Sequence, residues 1–280
     1  MIPIIFIEQW RQNVPWQTIA MIEHDLIISK ALVCLYNDPK IKDSLVFRGG
    51  TALNKLFIQP PARYSEDLDF VQKKPEPIGE TMSAIRGVLD PWLGEPKRKI
   101  TERGVKLIYK YIAINELPAK LKIEINTTEH FQVYDLNQIP YSVNSEWFAG
   151  TCVIETYQLE ELMATKLRAL YQRRKGRDLF DVWWVSLKNL LDVNKMIDIF
   201  HKYCINDKRI ISKDLFLENV ELKRPNQDFQ NDMNALLPIN VEWNFEKAFN
   251  YVINNIINVL PSEAISKTNK SKVKLEEYEH

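Results

Sequence analysis

The first part of the chain alternates helix-like segments with short β-prone runs. Apolar residues recur at every third or fourth position through residues 16–36, which predicts a helix with one buried face. Residues 45–47 form a β-prone run that ends at two glycines, residues 49–50, and residues 52–57 are again helix-like. We therefore expect a strand, a glycine turn and a second helix, with Thr51 as the N-cap of that helix.

Alternation of polar and apolar residues marks further strands. It holds over residues 67–71 and places Asp67 and Asp69 on one face of the predicted strand. The same period of two fits residues 107–114 and is clearest over residues 120–126. The last of these segments is expected to bury its apolar face and to expose the other to solvent.

From residue 158 onward the pattern changes to the longer period of helices. The predicted helices lie at residues 159–175, 179–191, 193–205, 212–222 and 243–260. Residues 225–238 are rich in Asn, Asp and Gln and are expected to form a long connection. Residues 266–280 are polar and lack a core pattern, so we expect them to fray.

Composition and charge narrow the functional classes. The 280 residues include 37 cations and 37 anions, so a net charge of zero excludes a chain-wide electrostatic attraction to nucleic acid or to membranes. Any anion-binding site must then be local. The three cysteines are widely spaced, which favours reduced thiols over a disulfide or a metal site. The apolar residues 1–7 are too few to span a membrane, so we expect a cytoplasmic protein with no membrane partner.

Three carboxylates are candidates for a metal site. Asp67 and Asp69 project side by side from one strand, and Glu124 lies on the polar face of another strand that could lie beside it. Oxygen ligands of this kind suit a hard cation, although an isolated pair of this spacing is more often an ordinary feature of a strand end or turn. The glycine turn at residues 49–51 lies upstream, where backbone N–H groups can approach a phosphate. A phosphate site beside a metal site indicates a nucleotide.

A basic run at residues 166–177 concentrates positive charge in this neutral chain. It contains no anion, and its six cations are Lys166, Arg168, Arg173, Arg174, Lys175 and Arg177. On a helix Lys166, Arg173 and Arg177 share one face. The alternative interpretation is a solvated basic face without a ligand.

Lys166 and Asp181 place a geometric condition on this segment. On one straight helix the two residues would lie roughly 22 Å apart, too far to contact one triphosphate. If both are functional, the helix must break near Gly176, and glycine permits such a turn through its tolerance of positive φ.

Four segments together resemble the AbiEii/AbiGii toxin family, which belongs to the DNA polymerase beta-like nucleotidyltransferase superfamily. They are RGGTALNK (48–55), RYSEDLDF (63–70), LKIEINTTEHF (121–131) and KLRALYQRRKGRDLFDVWW (166–184). The likeness runs from about residue 18 to residue 260 in the family's order. It implies an α+β fold, with a nucleotidyltransferase core of a small mixed sheet flanked by helices at residues 1–150. A helical lobe at residues 151–265 would complete the active-site cleft, and residues 266–280 would form a flexible tail.

The resemblance also implies roles for individual residues. Catalytic residues would be Asp67, Asp69, Lys166 and Asp181, and metal ligands for Mg²⁺ or Mn²⁺ would be Asp67, Asp69 and Glu124. Residues placed at the nucleotide are Gly49, Gly50, Thr51, Arg63, Ser65, Lys166, Arg173 and Arg177. Asp178 is the less favoured acid and could instead pair with Arg174, and Asp181 could instead pair with Arg177. The fifteen residues between Thr51 and Asp67 exceed the usual interval, which leaves the loop geometry open.

The implied activity is transfer of NMP from an NTP to an acceptor, with the 3′ end of tRNA as the leading candidate. The protein would be the toxin of a bacterial type IV toxin–antitoxin pair, with a cognate antitoxin encoded nearby. One alternative is a non-catalytic protein that acts through its antitoxin. Another is NMP or phosphate transfer to a protein hydroxyl, for which Ser65 is a candidate target. We expect the basic surface mainly at residues 166–177, with weaker support from residues 97–99 and Arg103.

Overall fold

A computed structural model describes residues 2–262 of the chain. The predicted tail at residues 266–280 lies outside these residues. The chain divides into two compact units. The first runs to Leu162 and includes Asn234–Glu242, and the second comprises Met163–Met233 and the chain from Trp243 onward.

A mixed sheet of seven strands forms the centre of the first unit. Its strands are β1 Leu45–Arg48, β2 Asp67–Gln72, β3 Lys97–Thr101, β4 Gly104–Ile112, β5 Pro118–Asn126, β6 Asn137–Asn144 and β7 Ala149–Thr156. Their order across the sheet is β3-β4-β5-β2-β1-β7-β6. The pairs β2–β5 and β1–β7 are parallel and the others are antiparallel. The alternating segments predicted as strands are thus confirmed, whereas β3, β6 and β7 were not predicted.

Helices flank the sheet and make up the second unit. They are α1 Ile4–Trp10, α2 Ile19–Tyr36, α3 Pro39–Ser44, α4 Gly49–Ala52, α5 Gly79–Leu93, α6 Leu159–Gln172, α7 Gly176–Leu187, α8 Val193–Asn206, α9 Lys213–Lys223, α10 Gln227–Asn231 and α11 Phe245–Asn255. Within residues 2–262, every helix is too short or too polar to cross a membrane.

The core of the first unit follows from the alternation along β4 and β5. Leu107, Tyr109, Leu121 and Ile123 are almost fully buried, whereas the residues between them are partly or wholly exposed. Helices α2 and α5 contribute to the same hydrophobic cluster. Because one sheet face is covered and the other carries polar side chains, the predicted carboxylates lie on the polar face.

Candidate active site

The glycine turn lies directly against the carboxylate pair. Gly49 has a φ of +86°, a backbone conformation that favours glycine. A Cβ atom at this position would overlap the carboxylate of Asp69. At Gly50 a Cβ atom would overlap the guanidinium of Arg63 and lie 2.9 Å from Ser65 Oγ. The two glycines therefore allow the turn and the segment leading into β2 to approach each other closely.

Thr51 has a different role from the predicted one. The helix α4 begins at Gly49, and Arg48 is its N-cap residue without a capping side-chain hydrogen bond. Thr51 lies inside α4, with its Oγ1 at 2.5 Å from the carbonyl oxygen of Asp67 and 2.9 Å from Ser65 Oγ. The N-cap prediction was wrong because the helix starts three residues earlier than expected, and the Thr51 hydroxyl instead anchors the start of β2.

Asp67 and Asp69 share one face of β2, next to the parallel strand β5. In the register of these strands Asp67 lies opposite Lys122, and Asp69 lies opposite Glu124. Lys122 Nζ lies 2.8 Å from Asp67 Oδ1, and Lys106 Nζ lies 2.6 Å from Glu124 Oε2. The sequence thus predicted that the three acids lie on one surface, but it did not predict their contacts with Lys122 and Lys106.

The alternation that located Glu124 indicates the face of β5 on which Lys122 lies, but not the acid that Lys122 contacts. Lys122 precedes Glu124 by two residues and therefore lies on the same face of β5. Burial disfavours the charged form of Lys122, but its hydrogen bond to Asp67 and the neighbouring negative charges outweigh this effect and raise the pKa of Lys122. Lys122 therefore remains a cation beside Asp67.

Asp67, Asp69 and Glu124 supply oxygen donors but do not form a closed metal cage. Across residues 2–262, the structure brings together no group of three His, Cys, Asp or Glu side chains that could hold a metal ion. Glu124 lies opposite Asp69 on the neighbouring strand, and its carboxylate forms an ion pair with Lys106. The role of Glu124 as a metal ligand stays a prediction.

Arg63 and Ser65 lie in the segment that packs on the glycine turn. Arg63 is 1% exposed, and its guanidinium donates a hydrogen bond of 3.0 Å to the carbonyl oxygen of Tyr64. Ser65 is half-buried beside Thr51. The structure therefore places both residues next to the turn that the resemblance assigns to phosphate, with Arg63 supporting that turn from within.

A cavity of about 720 Å³ opens beside the start of β2. Its lining includes His24, Tyr64, Glu66, Lys110, Tyr111 and Lys120. His24 is 5% exposed, with Nδ1 at 2.6 Å from the hydroxyl of Tyr111 and Nε2 at 3.0 Å from the carbonyl oxygen of Glu66. Burial lowers the pKa of His24, so the neutral ring connects α2 to the segment that precedes Asp67.

In the second unit the predicted helix break brings Lys166 and Asp181 together. Helix α6 ends at Gln172 and α7 begins at Gly176, so the prediction of a break is confirmed. Lys166 Nζ lies 3.0 Å from Asp181 Oδ2 and 3.5 Å from Asp178 Oδ1. Asp181 therefore pairs with Lys166, and the alternative pairing with Arg177 is not the one observed.

The reason for glycine at position 176 differs from the predicted one. Positive φ is found at Gly49 and Gly94 among the glycines of residues 2–262, so Gly176 does not use that freedom. A Cβ atom at Gly176 would overlap the carbonyl oxygen of Phe229. Glycine is thus required by the close approach of two backbone segments.

The basic run is largely neutralised by acids from the same unit. Arg173 makes two hydrogen bonds of 2.7 and 2.9 Å to Asp178, which is fully buried. Arg177 makes two of 3.1 and 3.2 Å to Asp232. Arg168 pairs with Asp207 at 3.2 Å. Arg174 and Lys175 are exposed and form no ion pair among residues 2–262. The run therefore has less unpaired positive charge than the sequence predicts, because the pattern of cations gave no information about acids elsewhere in the chain.

Comparisons with known proteins agree with this architecture. A family described as the nucleotidyl transferase AbiEii toxin of type IV toxin–antitoxin systems matches residues 30–251. Comparison with curated protein sequences gives no match. MenT4, a nucleotidyltransferase toxin from Mycobacterium tuberculosis H37Rv, is similar in structure, with a TM-score of 0.68, 17% identity and coverage of 98% of each chain.

A candidate nucleotidyltransferase from H. pylori is also similar, with a TM-score of 0.53 and 17% identity, over 95% of this chain and 100% of the other. At these identities the likeness shows a shared fold, and it confirms the predicted α+β nucleotidyltransferase class. Because the family match covers most of the chain, the protein belongs to the AbiEii family of nucleotidyltransferase toxins of type IV toxin–antitoxin systems.

Proposed function

We propose that the protein transfers NMP from an NTP to an RNA acceptor, with the 3′ end of tRNA as the leading candidate, and that a cognate antitoxin opposes it. The observation that carries this proposal is the contact between the glycine turn and the carboxylate pair, where Gly49 packs against Asp69. Such a contact allows a phosphate on the turn to lie beside acids able to hold a cation.

The residues of this site fit a divalent cation by their chemistry. Asp67 and Asp69 offer carboxylate oxygens, the donors that Mg²⁺ and Mn²⁺ prefer, and both are on the polar face of β2. When bound, such an ion neutralises charge on the triphosphate and aligns the attacking hydroxyl. Glu124 is the third donor in this proposal.

The protein's own residues shape the reaction around those acids. The backbone N–H groups of Gly49 and Gly50, at the start of α4, receive the phosphates. The absence of Cβ atoms at both positions lets the side chains of Asp69 and Arg63 lie directly against the turn. Thr51 holds the start of β2 through its contact with Asp67. Lys122 keeps positive charge beside Asp67 and so limits repulsion between neighbouring carboxylates.

In the second unit we assign Lys166 to the triphosphate and Asp181 to the orientation of Lys166. The distance of 3.0 Å between Lys166 Nζ and Asp181 Oδ2 supports the second role. Lys166→Ala should weaken NTP use much more than Arg168→Ala, because Arg168 lies on another face of the helix, where it pairs with Asp207 and stacks on Tyr203. Equal effects would mean that both residues serve only stability.

The deciding experiment uses the pure protein with total RNA and each α-labelled NTP in the presence of Mg²⁺. Labelled RNA in the tRNA size range is the expected result, and it should be lost on chelation of the metal and in Asp69→Asn. Label in the protein band would favour transfer to a protein hydroxyl such as that of Ser65. No labelled product with any NTP would overturn the enzymatic proposal in favour of action through the antitoxin alone.

A further inference from the structure

One face of the sheet carries a concentration of lysines, of which the sequence shows only the short basic stretch at residues 97–99 as a run. Residues paired across neighbouring strands project to the same face of a sheet. The register pairs Lys99 with Lys106, Lys110 with Lys120, and Lys106 with Glu124. Together with alternation along each strand, this register places six lysines on one face: Lys97, Lys99, Lys106, Lys110, Lys120 and Lys122. We call this set the lysine face.

The lysine face is positively charged in spite of the neutral composition of the chain. Within β3, β4 and β5, Glu124 is the single acid on this face. Lys106 and Lys122 are engaged by Glu124 and Asp67. The other four lysines, Lys97, Lys99, Lys110 and Lys120, are exposed and form no ion pair within the described part of the chain.

The lysine face is continuous with the candidate active site. Lys122 lies on β5 between Lys120 and Glu124, directly opposite Asp67 on β2. Lys110 and Lys120 also line the cavity beside the start of β2, together with Tyr64 and Tyr111. Neighbouring strands are about 5 Å apart and alternate residues about 7 Å apart, so the four exposed ammonium groups form a dense array. This array ends at the carboxylates.

We propose that the lysine face binds the phosphate backbone of the RNA acceptor and directs its reacting end to Asp67 and Asp69. The proposal rests on the proposed function and specifies the surface that the acceptor uses. Binding to nucleic-acid phosphates depends on unpaired Lys and Arg side chains, whose binding to phosphate releases counterions. Protein-binding surfaces are instead depleted in lysine and enriched in aromatic residues and arginine. The composition of this face therefore favours RNA over a protein partner.

The test compares variants that remove equal charge from different places. One variant combines Lys110→Ala with Lys120→Ala, and a second combines Lys97→Ala with Lys99→Ala. The matched control combines Lys74→Ala with Lys247→Ala, two exposed lysines outside the lysine face that form no ion pair within residues 2–262. Affinity for unfractionated tRNA and for a short unstructured RNA oligonucleotide is measured as a function of salt, without NTP, on the full-length protein.

Each variant of the lysine face should reduce the slope of log affinity against log salt, by about 0.7 for each single-strand phosphate that it no longer neutralises. We expect a reduction of about 1.4 in each double variant and of about 3 in a quadruple variant that combines all four substitutions, with an unchanged slope in the control. Weaker binding of both RNAs indicates that the lysine face binds the phosphates of any RNA. Weaker binding of tRNA alone indicates recognition of a folded acceptor. Both results support the inference.

Binding and transfer are measured separately, so that the two proposals can fail separately. If wild-type protein transfers label to RNA but the variants bind RNA as tightly as the control, the lysine face is not the acceptor surface. If wild-type protein binds RNA through this face but transfers nothing, the inference stands and the proposed reaction fails. If the wild type does not bind RNA at all, the inference is overturned.

Discussion

Two regions of this chain are rich in cations, and they use them in opposite ways. The run at residues 166–177 is conspicuous in the sequence, yet four of its cations are paired with acids and Lys166 is 7% exposed in its side chain. The lysine face of β3–β5 is inconspicuous in the sequence, yet four of its lysines are exposed and unpaired among the described residues.

The difference shows that a cluster of cations along the sequence need not form a positively charged surface in the folded protein. In the helical region the acids that neutralise the run lie up to 55 residues away in sequence, as in the pair of Arg177 with Asp232. In the sheet, pairing between strands gathers lysines that are separated along the chain by other residues. Apart from Lys166, we therefore expect the charges of the helical run to act mainly on stability, and the charges of the sheet face to act mainly on function.

The largest effect is expected on the sheet face. Asp69→Asn should lower nucleotidyl transfer by about 10³-fold, because metal-assisted charge neutralisation contributes several kcal/mol to the transition state. The free energy of unfolding should change little, since Asn keeps the shape of the side chain that packs on Gly49. Transfer rates and urea unfolding are measured on the same preparation. Full activity with unaltered metal dependence would remove Asp69 from the metal site.

The next effect separates the helical network from the sheet. Asp178 is fully buried and pairs with Arg173 and Lys166. Asp178→Asn removes a negative charge beside the buried ammonium group of Lys166 and should reduce the free energy of unfolding by about 3 kcal/mol. Asp228→Asn, at an exposed position of α10, should change it by less than about 0.5 kcal/mol. Similar urea midpoints for the two variants would contradict a structural role for the network.

A smaller effect is expected at the helix break. Gly176→Ala forces a Cβ atom against the carbonyl oxygen of Phe229 and should cost about 1–3 kcal/mol of unfolding free energy. Gly87→Ala is the matched control, because Gly87 lies within α5 with nothing within 4 Å of its added Cβ. There alanine should stabilise by up to about 1 kcal/mol through helix propensity. Thermal unfolding of both variants tests whether close packing or helix propensity determines the effect of alanine on stability at position 176.

The smallest effect concerns acid stability, and it compares one histidine from each unit. Burial lowers the pKa of His24 in α2 and of His201 in α8. A histidine whose folded pKa is depressed binds fewer protons folded than unfolded, so stability should fall as the pH drops below the unfolded value of about 6.5. His24→Gln and His201→Gln should each flatten the dependence of unfolding free energy on pH between 7 and 5. An unchanged slope in either variant would mean that the histidine titrates as it does in the unfolded chain.

Periodicity within one segment predicted much of this fold, and long-range pairing accounts for what it missed. The alternation that located β2 and β5 also placed Asp67, Asp69 and Glu124 on a polar surface. The break between α6 and α7 was predicted because one straight helix would hold Lys166 and Asp181 too far apart to act together. The edge strand β6 was missed because it contains Pro140, a residue unfavourable to ladder hydrogen bonding.

The sequence indicated only the stretch at residues 97–99 of the lysine face; its other lysines and the ion partners of the basic run were missed for a related reason. Both depend on which segments become neighbours, and a single sequence does not specify the register of one strand against another. Arg168 pairs with Asp207, which is 39 residues away, and no local pattern links the two. The same limit concealed Lys122 as the partner of Asp67, 55 residues away.

The chain path through the first unit bears on how this toxin is made. Residues Asn234–Glu242 return to that unit, where Tyr64 N donates to Leu236 O at 2.7 Å and Gln17 Nε2 donates to Leu237 O at 2.9 Å. On the ribosome these bonds must wait for about 80 residues synthesised after Leu162, a delay of about 4–16 s at about 5–20 residues per second. A nascent chain that terminates early therefore lacks the segment that holds Tyr64, three residues before Asp67. Completion of the carboxylate-bearing unit is thus coupled to synthesis of the whole intervening segment Met163–Met233.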